Sequence, residues 1–146
     1  MKKKYTKYIL LAALVVLVAV IAVWYAVPVP FVSKEVTSAD MRNARLGSGE
    51  HVEISDQQCE QIFEVLKNYK YRHTTEGVES TDTLSAKLYI PISFKNEKGV
   101  IIDSTGIAFY PDGSAKAMQA LPFTTWNRII NDDQLYKEVM SILGME

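Results

Sequence analysis

The chain has few of the residues from which catalytic and metal sites are built. Its 146 residues include one cysteine, Cys59, and two histidines, His51 and His73. A single cysteine excludes an internal disulfide, and neither histidine has a second histidine or a cysteine at zinc-ligand spacing. No glycine-rich segment joins a strand pattern to a helix pattern, so a phosphate-binding loop is not predicted. We therefore expect no metal, no cofactor and no catalytic activity.

Acidic residues are missing from the N-terminal part of the chain. All 17 acidic residues follow the apolar run of residues 8–27, whereas four of the 16 basic residues precede it. Setting the remaining 12 basic residues against the 17 acidic ones leaves a net charge of −5 beyond the run. This balance does not indicate a basic surface for nucleic acid, so no nucleic-acid partner is expected.

The apolar run of residues 8–27 is long enough to cross a membrane. Twenty helical residues extend about 30 Å, which is the thickness of the hydrocarbon core of a bilayer. Lysines before the run and none directly after it predict N-in, C-out topology, with residues 1–7 as a cytoplasmic leader. Trp24 and Tyr25 fit the outer interface, where amphipathic rings concentrate. We predict a single-pass protein of the cell membrane whose C-terminal part is extracytoplasmic.

A cleaved signal peptide is the alternative, because such peptides also begin with basic residues before an apolar stretch. This run is longer than the roughly 7 to 15 residues of a typical signal core. Val20 and Ala22 would have to be the small residues of the cleavage site, yet the run continues past them. A retained anchor is therefore expected.

Beyond the run, the sequence predicts a short exit and one domain. Residues 28–39 are expected to be a tether, with a stalk and a first strand left open as alternatives. Residues 40–146 have the size of one extracytoplasmic domain. The first element of this domain is predicted to be a hairpin over residues 40–54 with a glycine turn.

The next two elements have the clearest patterns. A capping box at Ser55 and Gln58 starts a predicted amphipathic helix over residues 56–69. Apolar residues then alternate over residues 84–94, which predicts a strand with one face in the core and the other in water. The predicted core-facing residues are Leu84, Ala86, Leu88, Ile90, Ile92 and Phe94.

The C-terminal part is predicted to complete the sheet and add a helix. Strands over residues 100–110 and 114–121 complete an antiparallel meander. Residues 122–128 are expected to be irregular, and a last helix is predicted over residues 132–143 with Gly144 as its stop. The predicted fold class is therefore α+β, with a transmembrane helix followed by a two-layer domain of a mostly antiparallel sheet and two packed helices.

The candidate binding residues are aromatic and basic. Tyr89 is placed on the polar side of the main strand, and Phe123, Trp126 and Arg128 belong to the segment before the last helix. Rings in partly exposed segments offer contact area at low entropic cost, although rings that close a core edge give the same pattern. Cys59 lies on the apolar face of the predicted helix, so burial is expected for it.

In layout, the chain resembles small membrane-anchored or lipid-linked extracytoplasmic proteins of unknown function from Gram-positive bacteria. The resemblance covers roughly residues 40–143 and rests on the order of elements and on the turn formed by Pro111, Asp112 and Gly113. It implies a non-enzymatic module outside the cytoplasm and assigns no functional residue.

Three functions fit these patterns. The first, which we expect, is a membrane-anchored interaction or sensing module that binds a protein or an envelope component. The second is an accessory subunit whose span packs within a membrane complex, since small residues in the span allow close helix approach. These residues are Ala12, Ala13, Ala19 and Ala22. The third is an envelope hydrolase that uses Cys59.

Overall fold

A computed structural model describes residues 2–79, 81–119 and 124–146 of the chain. Its fold is α+β, with an N-terminal apolar helix followed by an antiparallel curled sheet and two more helices. In chain order the elements are α1 (Lys2–Ala26), β1 (Val29–Pro30), β2 (Ser38–Asp40), β3 (Arg45–Leu46), α2 (Asp56–Leu66), β4 (Lys70–Arg72), β5 (Leu88–Lys95), β6 (Ile101–Phe109), β7 (Ala115–Gln119), β8 (Thr125–Ile129) and α3 (Asp132–Leu143).

The sheet is antiparallel throughout its paired strands. Its order is β1-β4-β8-β7-β6-β5-β2, and β3 pairs with β5 beside β2. The predicted meander is confirmed in β5, β6 and β7. Pro91 lies between the stretches of β5 that pair with β3 and with β2, so no strand of the described residues faces it at that edge. This position suits a residue that has no amide proton for a ladder.

One face of the sheet, which we call the inner face, packs against α2 and α3. The predicted alternation of β5 is confirmed from Leu88 to Phe94, whose core-facing side chains are buried. The capping box is present, with Gln58 N donating to Ser55 Oγ and Ser55 N donating to Gln58 Oε1. The helical residues buried against this face are Ile62, Phe63, Leu66, Leu135, Val139 and Met140.

The opposite face, which we call the outer face, is also covered in part. Parts of residues 74–79 and 81–86 lie over it, and a second buried cluster forms there. The expectation that this face of β5 lies in water is therefore wrong. The strand also begins at Leu88 rather than at residue 84, so Leu84 is exposed and Ala86 belongs to the outer cluster instead of the core.

Residues expected to be irregular form a further strand. Thr125–Ile129 make up β8, which lies between β7 and β4. The sequence pattern hides this strand because Trp126 on the outer face and Asn127 on the inner face are both buried. Two buried faces remove the apolar–polar alternation by which strands are recognised.

The expected tether is packed into the domain. Within residues 28–39, β1 pairs with β4 and β2 pairs with β5, at opposite edges of the sheet. Phe31 and Val36 lie between these strands in sequence and are both buried in the core. Only Val27 and Pro28 separate α1 from the sheet.

Candidate functional site

Trp126 does not form part of an exposed surface. Its side chain is 1% exposed and lies in the outer cluster with Tyr89 and Ala108. The indole Nε1 donates to Asp82 Oδ2 at 2.8 Å, and the Thr74 hydroxyl donates to the Trp126 carbonyl oxygen. The expectation that this ring is available to a partner is wrong, because the polar segment that precedes β5 closes over it.

Tyr89 is buried for a similar reason. Its side chain is 6% exposed, and its ring lies over Gly106 of β6 so closely that a β-carbon at that position would overlap the phenol. Arg45 packs beside the ring, with its guanidinium carbon 5.3 Å from the centroid. Burial raises the pKa of Tyr89. The expected exposure of this residue is also corrected, and Phe123 lies outside the described residues.

Arg128, the fourth candidate, is exposed on the outer face. In the register of the sheet it is directly opposite Arg72 of β4 on one side and Lys116 of β7 on the other. These three residues form what we call the cationic row. Neighbouring strands are about 4.8 Å apart, so the row crosses about 10 Å of the sheet surface.

The charges of the cationic row are only partly neutralised. Lys116 Nζ lies 2.5 Å from Glu76 Oε1. Among the residues that the structure describes, the guanidinium groups of Arg72 and Arg128 have no ion pair and no hydrogen-bond partner. Like charges directly opposite each other in a sheet are destabilising. An anion would relieve this repulsion, and two guanidinium groups suit the planar, bidentate geometry of carboxylate or phosphate.

No local pattern in the sequence indicates the cationic row. Its members come from three separate segments and become neighbours only through the pairing of β4, β8 and β7. The net charge of −5 beyond the apolar run conceals a local excess of positive charge. In the sequence, Arg128 is a candidate only as part of an aromatic segment. Its place in the cationic row depends instead on its strand partners, Arg72 and Lys116.

The junction between α1 and the domain is a second distinctive feature. The ring of Trp24 stacks on His73, with centroids 3.9 Å apart and planes 5° apart. His73 Nδ1 lies 2.6 Å from Gln119 Oε1, which makes this nitrogen the donor. Tyr71 packs edge-on against both His73 and Phe31, so aromatic contacts run from the helix end into the core.

Cys59 has the environment of a structural thiol. It is half-buried on α2, and its Sγ donates to the Ala39 carbonyl oxygen at 3.2 Å. Burial, with a smaller contribution from the charge of Asp40, raises the pKa of Cys59. A nucleophilic cysteine requires the opposite shift. Within residues 2–79, 81–119 and 124–146, no group of three or more histidine, cysteine, aspartate or glutamate side chains is arranged to hold a metal ion.

Comparison of the chain with protein-family models, with curated proteins and with solved structures finds no match. No functional residue is therefore transferred from a relative. The cationic row and the junction at Trp24 stand on the geometry of this chain alone.

We predict that Trp126→Phe destabilises the domain in a pH-dependent way. The hydrogen bond from the indole is the main cause that lowers the pKa of Asp82. The bond therefore contributes to the free energy of unfolding above about pH 4, and this contribution is lost as the pH falls through the lowered pKa. We expect Trp126→Phe to lower the free energy of unfolding by about 2 kcal/mol at pH 7. Below about pH 4, the difference in this free energy between the variant and the natural chain should become smaller. Urea unfolding of the full chain in detergent measures it.

Trp24→Phe is the matched control, because its ring stacks on His73 and its indole N–H has no hydrogen-bond partner among the described residues. The change that Trp24→Phe causes in the free energy of unfolding should be the same at pH 3 and at pH 5. A loss for Trp126→Phe that is equally independent of pH would show that the bond to Asp82 does not stabilise the fold.

We predict that Cys59 resists alkylation in the folded chain. A maleimide reagent at neutral pH should react at least about tenfold more slowly with the folded protein than with the urea-unfolded protein, because the thiol is shielded and its pKa is raised. Ser48→Cys in a Cys59→Ser background supplies an exposed thiol as the control. Equal rates for the two cysteines would contradict a structural role for Cys59.

Proposed function

We propose that the chain is a single-pass, membrane-anchored module of the cell envelope whose extracytoplasmic domain binds a protein or envelope component through phosphate or carboxylate groups. The proposal rests on one observation about α1. This helix is long and apolar enough to span a membrane, and none of its residues is buried. The resemblance in layout to small anchored envelope proteins points in the same direction.

The surface of α1 favours lipid. Leucine, isoleucine and valine each favour insertion by about 0.3 to 0.6 kcal/mol, so the twelve in residues 8–27 supply roughly 4 to 7 kcal/mol. The described residues of α1 are all exposed, and Trp24 makes a ring contact with His73 of the domain.

Retention of α1 is supported over cleavage as a signal peptide. Cleavage after Ala22 would separate most of the helix from the domain and remove the structural context of the stack between Trp24 and His73. Because β1 begins at Val29, the domain would then start within a few residues of its own edge strand.

The cationic row is the proposed binding surface. Arg72 and Arg128 are exposed, directly opposite each other and without a counter-ion among the described residues. Bidentate contacts from guanidinium groups to phosphate or carboxylate are strong and geometrically selective. A hydrolase that uses Cys59 is not supported, since the environment of that thiol favours its neutral form.

The anchor predicts a defined topology, which thiol labelling in intact bacterial cells tests. With Cys59→Ser as background, a membrane-impermeant maleimide added outside should label Ser48→Cys, which is exposed in the domain, and should not label Lys4→Cys before the span. Permeabilised cells should label both. Labelling of position 48 only after permeabilisation, or a mature chain that lacks its first two dozen residues, would overturn the proposal.

The binding surface predicts charge-dependent capture of polyanions. In neutral phosphatidylcholine nanodiscs, the full chain should bind polyphosphate or polyglutamate, and Arg72→Gln with Arg128→Gln should weaken binding about tenfold or more, since one charge-assisted hydrogen bond is worth about 1.5 kcal/mol or more. Arg42→Gln is the control, because Arg42 is exposed but pairs with Asp40 at 3.5 Å. Equal losses for Arg42→Gln and for the double variant would show that general charge, rather than the cationic row, accounts for binding.

A further inference from the structure

The hairpin between β5 and β6 exposes a short apolar patch. Val100, Ile101 and Ile102 are consecutive in sequence and are 54%, 56% and 39% exposed. Among the described residues beyond Val27, Leu84 is the only other large apolar side chain that is exposed. Contiguous exposed apolar side chains mark contact surfaces more often than isolated ones do. We call these three residues the hairpin patch.

The hairpin patch is held in a defined conformation. Asn96 Oδ1 accepts from the amides of Lys98 and Val100, both at 3.0 Å, and Gly99 supplies the positive φ of 75° that the turn requires. The register shifts at the base of the turn, where Phe94 pairs with Asp103 and Lys95 pairs with Ile101. Ile102 is therefore the extra residue of a β-bulge, a feature that reorients side chains at the rims of sheets.

The strand register places this patch at the same end of the sheet as α1. Trp24 of α1 meets His73 directly after β4, and His73 contacts Gln119 at the end of β7. At this level of the sheet, Gln119 pairs with Thr125 of β8. The residue before it, Met118, pairs with Gly106 of β6, so residues 101–105 of β6 continue beyond the level of His73.

We call this end of the sheet the proximal end. From Thr105 to Val100, β6 and the turn project about 16 Å beyond the level of His73, at about 3.3 Å per residue. The chain enters the sheet from the same end, since β1 runs antiparallel to β4 and away from α1. Both α1 and the hairpin patch therefore lie at the proximal end of the sheet.

We infer that the hairpin patch inserts into the outer leaflet of the bilayer that α1 spans, so that the domain contacts the membrane at a second point. This inference rests on the proposed anchoring. Lipid is the expected occupant because α1 brings a bilayer to the proximal end. Lys34 and Lys98, together with Glu35 and Glu97, line a shallow cleft beside Ile102, so the cleft carries charges of both signs. The lysine amines can reach lipid phosphates while the apolar side chains enter the acyl region.

Site-specific fluorescence in vesicles tests this inference. The full chain with Cys59→Ser carries an environment-sensitive NBD label at Val100→Cys and is reconstituted in vesicles of phosphatidylcholine and phosphatidylglycerol with a fraction of spin-labelled lipid. The label at position 100 should shift to shorter wavelength and be quenched by the spin label. Ser48→Cys is the matched control, since the turn after β3 lies at the opposite end of β5. Its label should remain water-like and unquenched.

Two further measurements separate the possible outcomes. Ile101→Ser with Ile102→Ser should abolish the quenching at position 100 while the chain still floats with the vesicles. A chain that floats but shows no quenching at position 100 overturns the inference and leaves the anchor intact. A blue shift that grows with protein density but is insensitive to spin-labelled lipid shows contact between copies and also overturns it. A chain that does not float contradicts the anchor itself.

Discussion

An apolar helix that the domain leaves uncovered sets the conditions for the rest of the molecule. The described residues of α1 are all exposed, and in its last turn Trp24 stacks on His73 of the domain. Exposed apolar surface is unfavourable in water by about 25 cal/mol per Å², so this helix requires lipid or another apolar partner. Because two residues separate α1 from β1, whatever surrounds the helix lies next to the proximal end of the sheet.

The elements that the sequence predicts well are those specified by local signals. The capping box of Ser55 and Gln58 places the start of α2, and Gly144 in a left-handed conformation ends α3. The alternation of β5 from Leu88 onward predicts its core face, because one side meets the helices. In each case the determining contacts lie within a few residues or along one strand, so a single pattern suffices.

The candidate site depends on contacts between distant segments, which no local pattern records. Residues 74–79 and 81–86 are mostly polar, and no local pattern indicates that they cover Trp126. Gly106 and Ala108 in β6 provide the space in which the large rings of the outer cluster pack. The neighbours of Arg128 are set by sheet order rather than by sequence distance. The aromatic residues therefore indicate the right strand for the wrong reason. The ring of Trp126 is buried, whereas the exposed feature of β8 is the charge of Arg128.

The two proposed membrane contacts together restrict how the domain presents its cationic row. α1 enters at the β1 edge, whereas the hairpin patch lies at β5 and β6, roughly 20 Å away at about 4.8 Å per strand. Two separated contacts oppose rotation of the sheet about the axis of α1 and hold the strands upright on the bilayer.

Arg128 is level with Lys116 and Ala108 in the register, which is about 26 Å along the strand from Val100 at about 3.3 Å per residue. In this arrangement the row faces sideways, more than two Debye lengths from the inserted tip at physiological salt. The row is thus far from the inserted tip but close to the end of α1, because Arg72 directly precedes His73, so the anionic ligand that fits Arg72 and Arg128 lies beside the membrane surface.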